Sequence, residues 1–90
     1  MELPALARAH ELQERAARLG WQPDQAETAP RLAARLVALD ALADDDSRNR
    51  EAGTVLFELA GLARRLGINA ESALREANAR FVAEFKPGGA

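Results

Sequence analysis

The chain has 90 residues, a net charge of −2 and no cysteine. Its length allows one domain, and the absence of cysteine excludes disulfides and thiolate metal sites. Its 11 arginines and single lysine are spread among 14 acidic residues, which excludes the basic surface that nucleic-acid binding needs. No apolar run approaches the roughly 20 residues of a membrane span. Because Glu2 is acidic and no apolar core follows it, we expect no export signal. We therefore expect a cytoplasmic protein that binds neither nucleic acid nor membrane.

The first predicted helix spans about residues 4–19. Pro4 suits the first helical position, and Gly20 suits the left-handed conformation just past the helix end. Its apolar stripe, at three-to-four spacing, consists of Ala5, Ala9, Leu12, Ala16 and Leu19.

The second predicted helix begins between Asp24 and Thr28. Asp24 and Glu27 have the spacing of a capping box, whereas Pro30 close behind them favours the later start at Thr28. Its apolar face consists of Leu32, Leu36, Leu39 and Ala43.

The third predicted helix runs from about residue 48 to residue 66, and Gly67 ends it. The acidic residues 44–46 before it supply a cap and negative charge for its N-terminus. Its apolar face consists of Ala52, Val55, Leu56, Leu59, Leu62, Ala63 and Leu66.

The fourth predicted helix is capped by Asn69 and has Glu71 in its first turn. Its buried stripe is expected to consist of Leu74, Ala77, Phe81 and Phe85.

Four such helices with short links predict an all-α, four-helix antiparallel bundle, with residues 1–86 as one domain and 87–90 as a tail. A core of this size is marginal alone, so we expect dimerisation to complete it. Gly53 and Gly61 weaken a helix, which predicts close helix contacts at both, within the chain or across a dimer.

Residues along nearly the whole chain resemble a known family. Residues 3–21 resemble its opening helix, and Gly53 with the Val-Leu-Phe run after Thr54 and residues 62–68 resemble its third helix. In this order and spacing they are similar to the MazG nucleotide pyrophosphohydrolase domain. Its last helix is matched by Glu71, Ala73, Leu74, Ala77, Asn78, Phe81 and Phe85.

The resemblance implies an all-α fold that hydrolyses nucleoside triphosphates to monophosphate and pyrophosphate with Mg²⁺. The family's patterns, EExxE and EExxD, place carboxylates on one face of each of two helices. Carboxylate oxygens are the ligands that Mg²⁺ prefers. The metal then holds the phosphates and activates the attacking water.

The chain departs from both patterns. Where EExxE is expected, residues 34–38 read Ala-Arg-Leu-Val-Ala, and Arg35 places a cation where the metal would lie. Where EExxD is expected, Glu51 remains but Thr54 replaces the aspartate. The resemblance therefore implies Glu51 as a remnant metal ligand, with no catalytic residue and no cofactor. On the last helix Arg80 keeps a phosphate-facing cation, whereas Glu84 replaces a second one.

Two acidic residues of the third helix have alternative interpretations. Glu51 is either the remnant ligand, or a first-turn acid favoured by the helix dipole, or the partner of a nearby arginine, with Arg35 and Arg50 as candidates. Glu58 lies about 10 Å farther along the helix axis, at 1.5 Å per residue, too far to share one ion with Glu51 unaided. It is therefore interpreted as a solvated surface residue.

Other candidate site residues are weighed in the same way. Asn78 and Arg80 are candidate nucleotide contacts, or else surface partners on their helix. Residues 44–46 are a capping loop rather than a cation site. His10 is interpreted as a surface or interface imidazole, and Trp21 as a plug at the bundle end rather than a base-stacking ring.

Three functions remain open from the sequence. The first is a catalytically inactive MazG-like domain that acts through helical contacts, as a homodimer or with another protein partner. The second is an active Mg²⁺-dependent nucleoside triphosphate pyrophosphohydrolase with ligands rearranged among Glu51, Glu58 and Asp40 or Asp44. The third is a helical interaction module unrelated to the family. A nucleotide is a candidate ligand.

Overall fold

The computed structural model describes residues 4–23 and 27–85, and 81% of these residues are helical, in four helices with no strand. This confirms the predicted all-α class. The predicted tail at 87–90 and the predicted cap at Asp24 lie outside the described residues. The helices are α1 (Ala5–Arg18), α2 (Thr28–Ala41), α3 (Asp45–Arg65) and α4 (Ala70–Glu84).

The helix ends follow the local chemistry of the sequence. Gly20 and Gly67 have positive φ angles of 102° and 76° just past α1 and α3, a conformation that glycine adopts without steric cost. Asn69 caps α4 by accepting a hydrogen bond from the Ser72 N–H. The α2 helix begins at Thr28, the later of the two predicted starts.

The α3 helix begins at Asp45 rather than near residue 48, because Asp44 is its N-cap. The Asp44 carboxylate accepts a hydrogen bond of 2.8 Å from the Ser47 N–H, and Asp45 and Asp46 add negative charge to the first turn. Asp45 and Asp46 are therefore part of α3, and Asp44 is its cap.

The α3 helix is the centre of the fold, because α1, α2 and α4 all contact it. Gln13 of α1 is almost completely buried, at 2% exposure, and its Nε2 donates a hydrogen bond of 3.0 Å to the Phe57 carbonyl of α3. A Cβ atom at Gly61 would lie 2.7 Å from Gln13 Oε1. The close contact predicted at Gly61 is therefore confirmed within the chain.

Gly53 differs from Gly61. Among the described residues, and apart from the nearby backbone of its own helix, no atom lies within 4 Å of the position that a Cβ atom would occupy at Gly53. A contact at Gly53 across a dimer stays a prediction.

The face of α2 that packs against α3 differs from the predicted face. Leu32 is 7% exposed, but Leu36 is 53% exposed, and Ala43 lies beyond the helix end. The predicted face through Leu36 and Ala43 is therefore wrong. The less exposed residues of α2 are Thr28, Arg31, Leu32, Arg35 and Leu39. Two arginines are accommodated there because their heads are paired with carboxylates of α3.

Much of the predicted core of α3 and α4 lies on the surface of the chain. Val55 and Ala60 are buried in α3, at 8% and 1% exposure, and α4 has no buried residue. The prediction of a buried α4 stripe is therefore wrong for the single chain, because Leu74, Phe81 and Phe85 are exposed and Ala77 is only partly buried. The exposed members of the two predicted faces are Leu56, Leu59, Leu66, Leu74, Phe81 and Phe85.

Within the described residues, no helix combines the length and apolar character that crossing a membrane requires.

Candidate functional site

The candidate site is a cluster of two arginines and two glutamates between α2 and α3. Arg31 and Arg35 lie four residues apart on α2, and Glu51 and Glu58 lie seven residues apart on α3. Spacings of four and seven residues place side chains on one face of a helix. The two pairs therefore face each other across the α2–α3 contact.

Arg35 is the centre of this cluster. Its Nη1 donates hydrogen bonds of 3.0 and 3.1 Å to the two carboxylate oxygens of Glu51. Its Nε lies 3.3 Å from Oε2 of Glu58, and Arg31 Nε lies 3.3 Å from the other oxygen of Glu58. Both glutamates of α3 thus have arginine partners on α2.

The cluster is partly shielded from solvent. The side chains of Glu51 and Glu58 are 22% and 19% exposed, and that of Arg35 is 33% exposed. Arg35 Nε and Glu58 Oε2 are individually buried and make no aligned hydrogen bond, so their 3.3 Å contact is an ion pair. Partial burial reduces screening by water and makes each charge costly without its partner.

Thr54, where the sequence resemblance leads us to expect an aspartate, has its hydrogen-bond partner within its own helix. The Thr54 hydroxyl donates a hydrogen bond of 3.2 Å to the Arg50 carbonyl one turn earlier. A hydroxyl used in this way is a poor substitute for a carboxylate ligand. Arg50 itself is exposed, so Arg35 is the Glu51 partner among the two predicted candidates.

These donors do not fit a magnesium ion. The charged residues that line an open groove beside the cluster are Arg35, Arg50 and Glu51. The groove therefore offers two cations and one carboxylate. Magnesium instead takes oxygen ligands, commonly one or two carboxylates with water. No group of three or more His, Asp or Glu side chains able to hold a metal ion occurs in residues 4–23 and 27–85.

Of the residues in the rearranged-ligand hypothesis, Glu51 and Glu58 share Arg35 as a partner, whereas no contact of Asp40 or Asp44 with this cluster is seen. Glu58 is paired with arginine, so its interpretation as a solvated surface residue is wrong. Asp44 caps α3, and hydrogen bonds from the N–H and the hydroxyl of Ser47 hold the Asp44 pKa below its usual value. Asp40 is exposed on α2.

The predicted nucleotide contacts lie on another helix. Asn78 and Arg80 are both exposed on α4, and no contact of either with the arginine–glutamate cluster is seen. Their role as nucleotide contacts stays a prediction.

Two further sequence interpretations concern α1 and the turn after it. His10 is partly exposed, with Nε2 3.9 Å from Glu14 Oε1, in agreement with a surface imidazole. Trp21 is 39% exposed and lines a crevice at the α1–α3 contact with Leu12 and Phe57.

Sequence reasoning missed Arg31 and Gln13. The signal for Arg31 was its position four residues before Arg35, which places both arginines on one face of α2. Glu51 and Glu58, seven residues apart, likewise lie on one face of α3. The signal for Gln13 was Gly61, because a glycine in a helix marks a close neighbour without naming it.

Comparison with known proteins gives the same family as the sequence motifs. The chain is 34% identical over 85 residues to the nucleoside triphosphate pyrophosphohydrolase/pyrophosphatase MazG of Thermotoga maritima, covering 93% of this chain and 33% of that protein. It is 35% identical over 92 residues to the nucleoside triphosphate pyrophosphohydrolase of Escherichia coli K12, covering 93% of this chain and 34% of that protein. The chain thus spans about a third of the length of these curated relatives. No protein-family profile matches it.

Proposed function

Since similarity to these proteins makes the chain a member of a MazG-like family, we propose that it is a MazG-like domain without pyrophosphohydrolase activity. In this proposal it acts through helical protein–protein contacts, first of all with a second copy of itself. Its framework is that of the family, and the change lies in the charges between α2 and α3.

The pairing of Arg35 with Glu51 carries the proposal. One guanidinium contacts both oxygens of the remaining carboxylate, at 3.0 and 3.1 Å. A magnesium ion bound to Glu51 would have to displace this cation and then lie beside it. Repulsion between two cations at such a distance, in a partly shielded site, opposes metal binding.

The same contacts oppose the alternative of an active enzyme with rearranged ligands. Glu58, the nearest substitute carboxylate on α3, is held by Arg31 and Arg35. Recruiting it would break two ion pairs and leave Arg31 without its carboxylate partner, which is costly.

Nucleotide binding without hydrolysis is a separate part of the proposal. It rests on Asn78 and Arg80, whose exposure on α4 leaves them accessible to a ligand. An arginine binds phosphate without a metal through its fork of N–H donors. We expect any such binding to be independent of Mg²⁺.

Thermal unfolding with and without Mg²⁺ tests the metal part of the proposal. A ligand that binds the native state raises the melting temperature. Mg²⁺ alone should therefore leave the melting temperature unchanged, and Mg²⁺ with any common nucleoside triphosphate should raise it no more than the nucleotide alone does. A magnesium-dependent increase that disappears in the Glu51→Ala variant would contradict the proposal.

A further inference from the structure

A small crevice beside the last turns of α3 is lined by more basic than acidic side chains. Its volume is about 40 Å³, and its charged lining residues are Arg31, Glu58, Arg64 and Arg65. Trp21 also lines it, in addition to the crevice at the α1–α3 contact. The arginine crevice, as we call it, therefore has three guanidinium groups and one carboxylate on its walls.

Glu58 does not balance these three cations. One of its oxygens lies 3.3 Å from Arg31 Nε and the other lies 3.3 Å from Arg35 Nε, so two arginines of α2 already share its charge. Arg65 is partly exposed, and its guanidinium has no ion pair or hydrogen bond within residues 4–23 and 27–85. Positive charge therefore remains in the crevice at Arg64 and Arg65.

Arg64 is more shielded from solvent than an isolated cation can easily be. Its side chain is 15% exposed, and its Nη1 lies 3.5 Å from Oε1 of Glu14, whose side chain is 44% exposed. Its Nε is buried and has no hydrogen-bond partner among the described residues. Buried N–H donors nearly always have a partner, because losing hydration without a hydrogen bond is costly. The Arg64 Nε therefore indicates an acceptor that the described residues do not supply.

Helix electrostatics alone does not explain this shielding. Arg64 and Arg65 lie in the last turn of α3, where the helix dipole favours cations. A fully exposed guanidinium would satisfy that preference, whereas Arg64 is held in the wall of the crevice. A bound anion would offset the cost of shielding its charge.

The size of the crevice restricts the ligand. A single water needs about 10–15 Å³ of such a volume, so about 40 Å³ admits one small group and not a nucleotide. Guanidinium groups bind phosphate oxygens through paired N–H donors and do so without a metal.

From these observations we propose that the arginine crevice binds one phosphate group, either as the free ion or as the end of a larger molecule. Arg64 and Arg65 donate to its oxygens, and Trp21 lies beside it. A phosphate group carries a charge of about −1.5 to −2 at pH 7, which matches two cations better than a carboxylate does. The site requires neither Mg²⁺ nor the pairing of Arg35 with Glu51, so it goes beyond the proposed function, and either proposal can fail without the other.

Trp21 provides a direct test, because it is the single tryptophan of the chain and lines the crevice. Its fluorescence is titrated with inorganic phosphate in the presence of EDTA, at an ionic strength held constant with sodium chloride. Calorimetry of the same samples gives the stoichiometry. We expect saturable binding at one site per chain without a metal. If neither measurement detects phosphate binding, the crevice holds only water and the proposal is wrong.

Two arginine variants assign the site. Arg65→Gln should weaken phosphate binding by about tenfold or more, because a charged donor is lost, and it should fold normally since it breaks no ion pair. Arg64→Gln should have at least the same effect; if it does not fold, as circular dichroism will show, Arg65→Gln decides. The matched control is Arg50→Gln, on an exposed arginine of the same helix that lines the other groove. Wild-type affinity in Arg65→Gln, or an equal loss in Arg50→Gln, would overturn the assignment.

Phenyl phosphate and acetate identify the chemistry of the ligand. The ring of phenyl phosphate is too large for the crevice and would lie outside it, against Trp21. Tighter binding of phenyl phosphate than of inorganic phosphate therefore supports a phosphate group on a larger molecule, and equal or weaker binding supports the free ion. Acetate that binds as tightly as phosphate would show that the site is not one for phosphate.

Discussion

Arg35 of α2 holds both carboxylate oxygens of Glu51 of α3, at 3.0 and 3.1 Å. The sequence resemblance places Arg35 where the family pattern has a carboxylate, and we propose that a cation takes the place of a metal ligand there. The guanidinium supplies the positive charge that Glu51 needs, and it also holds α2 against α3.

Arg35→Ala should destabilise the fold. The variant leaves Glu51, whose side chain is 22% exposed, without its partner. We expect the free energy of unfolding to fall by about 1–2 kcal/mol, between the values for exposed and buried pairs. Each kcal/mol should lower the melting temperature by roughly 4–8 °C in a domain of this size. Arg50→Ala is the matched control, since Arg50 is exposed, and an equal loss there would contradict the assigned pairing.

Restoring the carboxylates should create a magnesium site. The triple variant Arg35→Glu, Ala38→Glu and Thr54→Asp adds three carboxylates to Glu51 at the family positions. Without a cation these carboxylates repel one another, so the variant should be less stable than the wild type and regain stability as Mg²⁺ is added. The control, with Gln, Gln and Asn at the same positions, has no added charge and should not respond. No response to Mg²⁺ in a folded triple variant would show that the register assigned to α2 is wrong.

The two helical glycines of α3 should respond oppositely to alanine. Gly53→Ala adds a methyl group to open space and should stabilise the helix by about 0.5–1 kcal/mol. Gly61→Ala should be destabilising, because its Cβ lies 2.7 Å from Gln13 Oε1. Gln13 would have to move and lose its bond to the Phe57 carbonyl, at a cost of about 1–3 kcal/mol that exceeds the gain in helix propensity.

Chemical denaturation of the two glycine variants measures both effects. The double variant Gly61→Ala and Gln13→Ala should recover part of the loss, because the clash is then absent. A stabilising Gly61→Ala would contradict the close α1–α3 contact.

Asp44 should make the stability depend on acid pH. Hydrogen bonds from Ser47 hold the pKa of Asp44 below its usual value in the folded state. Its contribution is therefore complete above the unfolded pKa of about 3.9 and is lost as the pH falls through the lower folded value. Asp44→Asn keeps a capping oxygen but does not titrate, so its stability should fall less steeply between pH 5 and 2, a range of about three units around that pKa. Equal slopes in denaturation curves of the two proteins would show that Asp44 does not contribute.

The sequence predicted the helices better than their faces. Local chemistry determined the ends: Gly20, Gly67 and the Asn69 cap act within one turn, and all were predicted. Burial depends on which helices meet, and periodicity alone does not reveal this. Leu59 and Phe81 were therefore predicted as core residues, although they are exposed in the chain.

The candidate site was predicted in part for the same reason. Arg35 and Glu51 were recognised because the family patterns single out their positions. Arg31 was missed, and Glu58 was misassigned, because their pairing depends on how α2 packs against α3.

Pyrophosphate release by the purified chain tests the central claim most directly. The protein is incubated with each common nucleoside and deoxynucleoside triphosphate, with Mg²⁺ or Mn²⁺, and Glu51→Ala is measured in parallel. We predict no release above the protein-free rate for either protein. Metal-dependent release by the wild-type chain that Glu51→Ala abolishes would contradict the claim that Arg35 has replaced the catalytic metal.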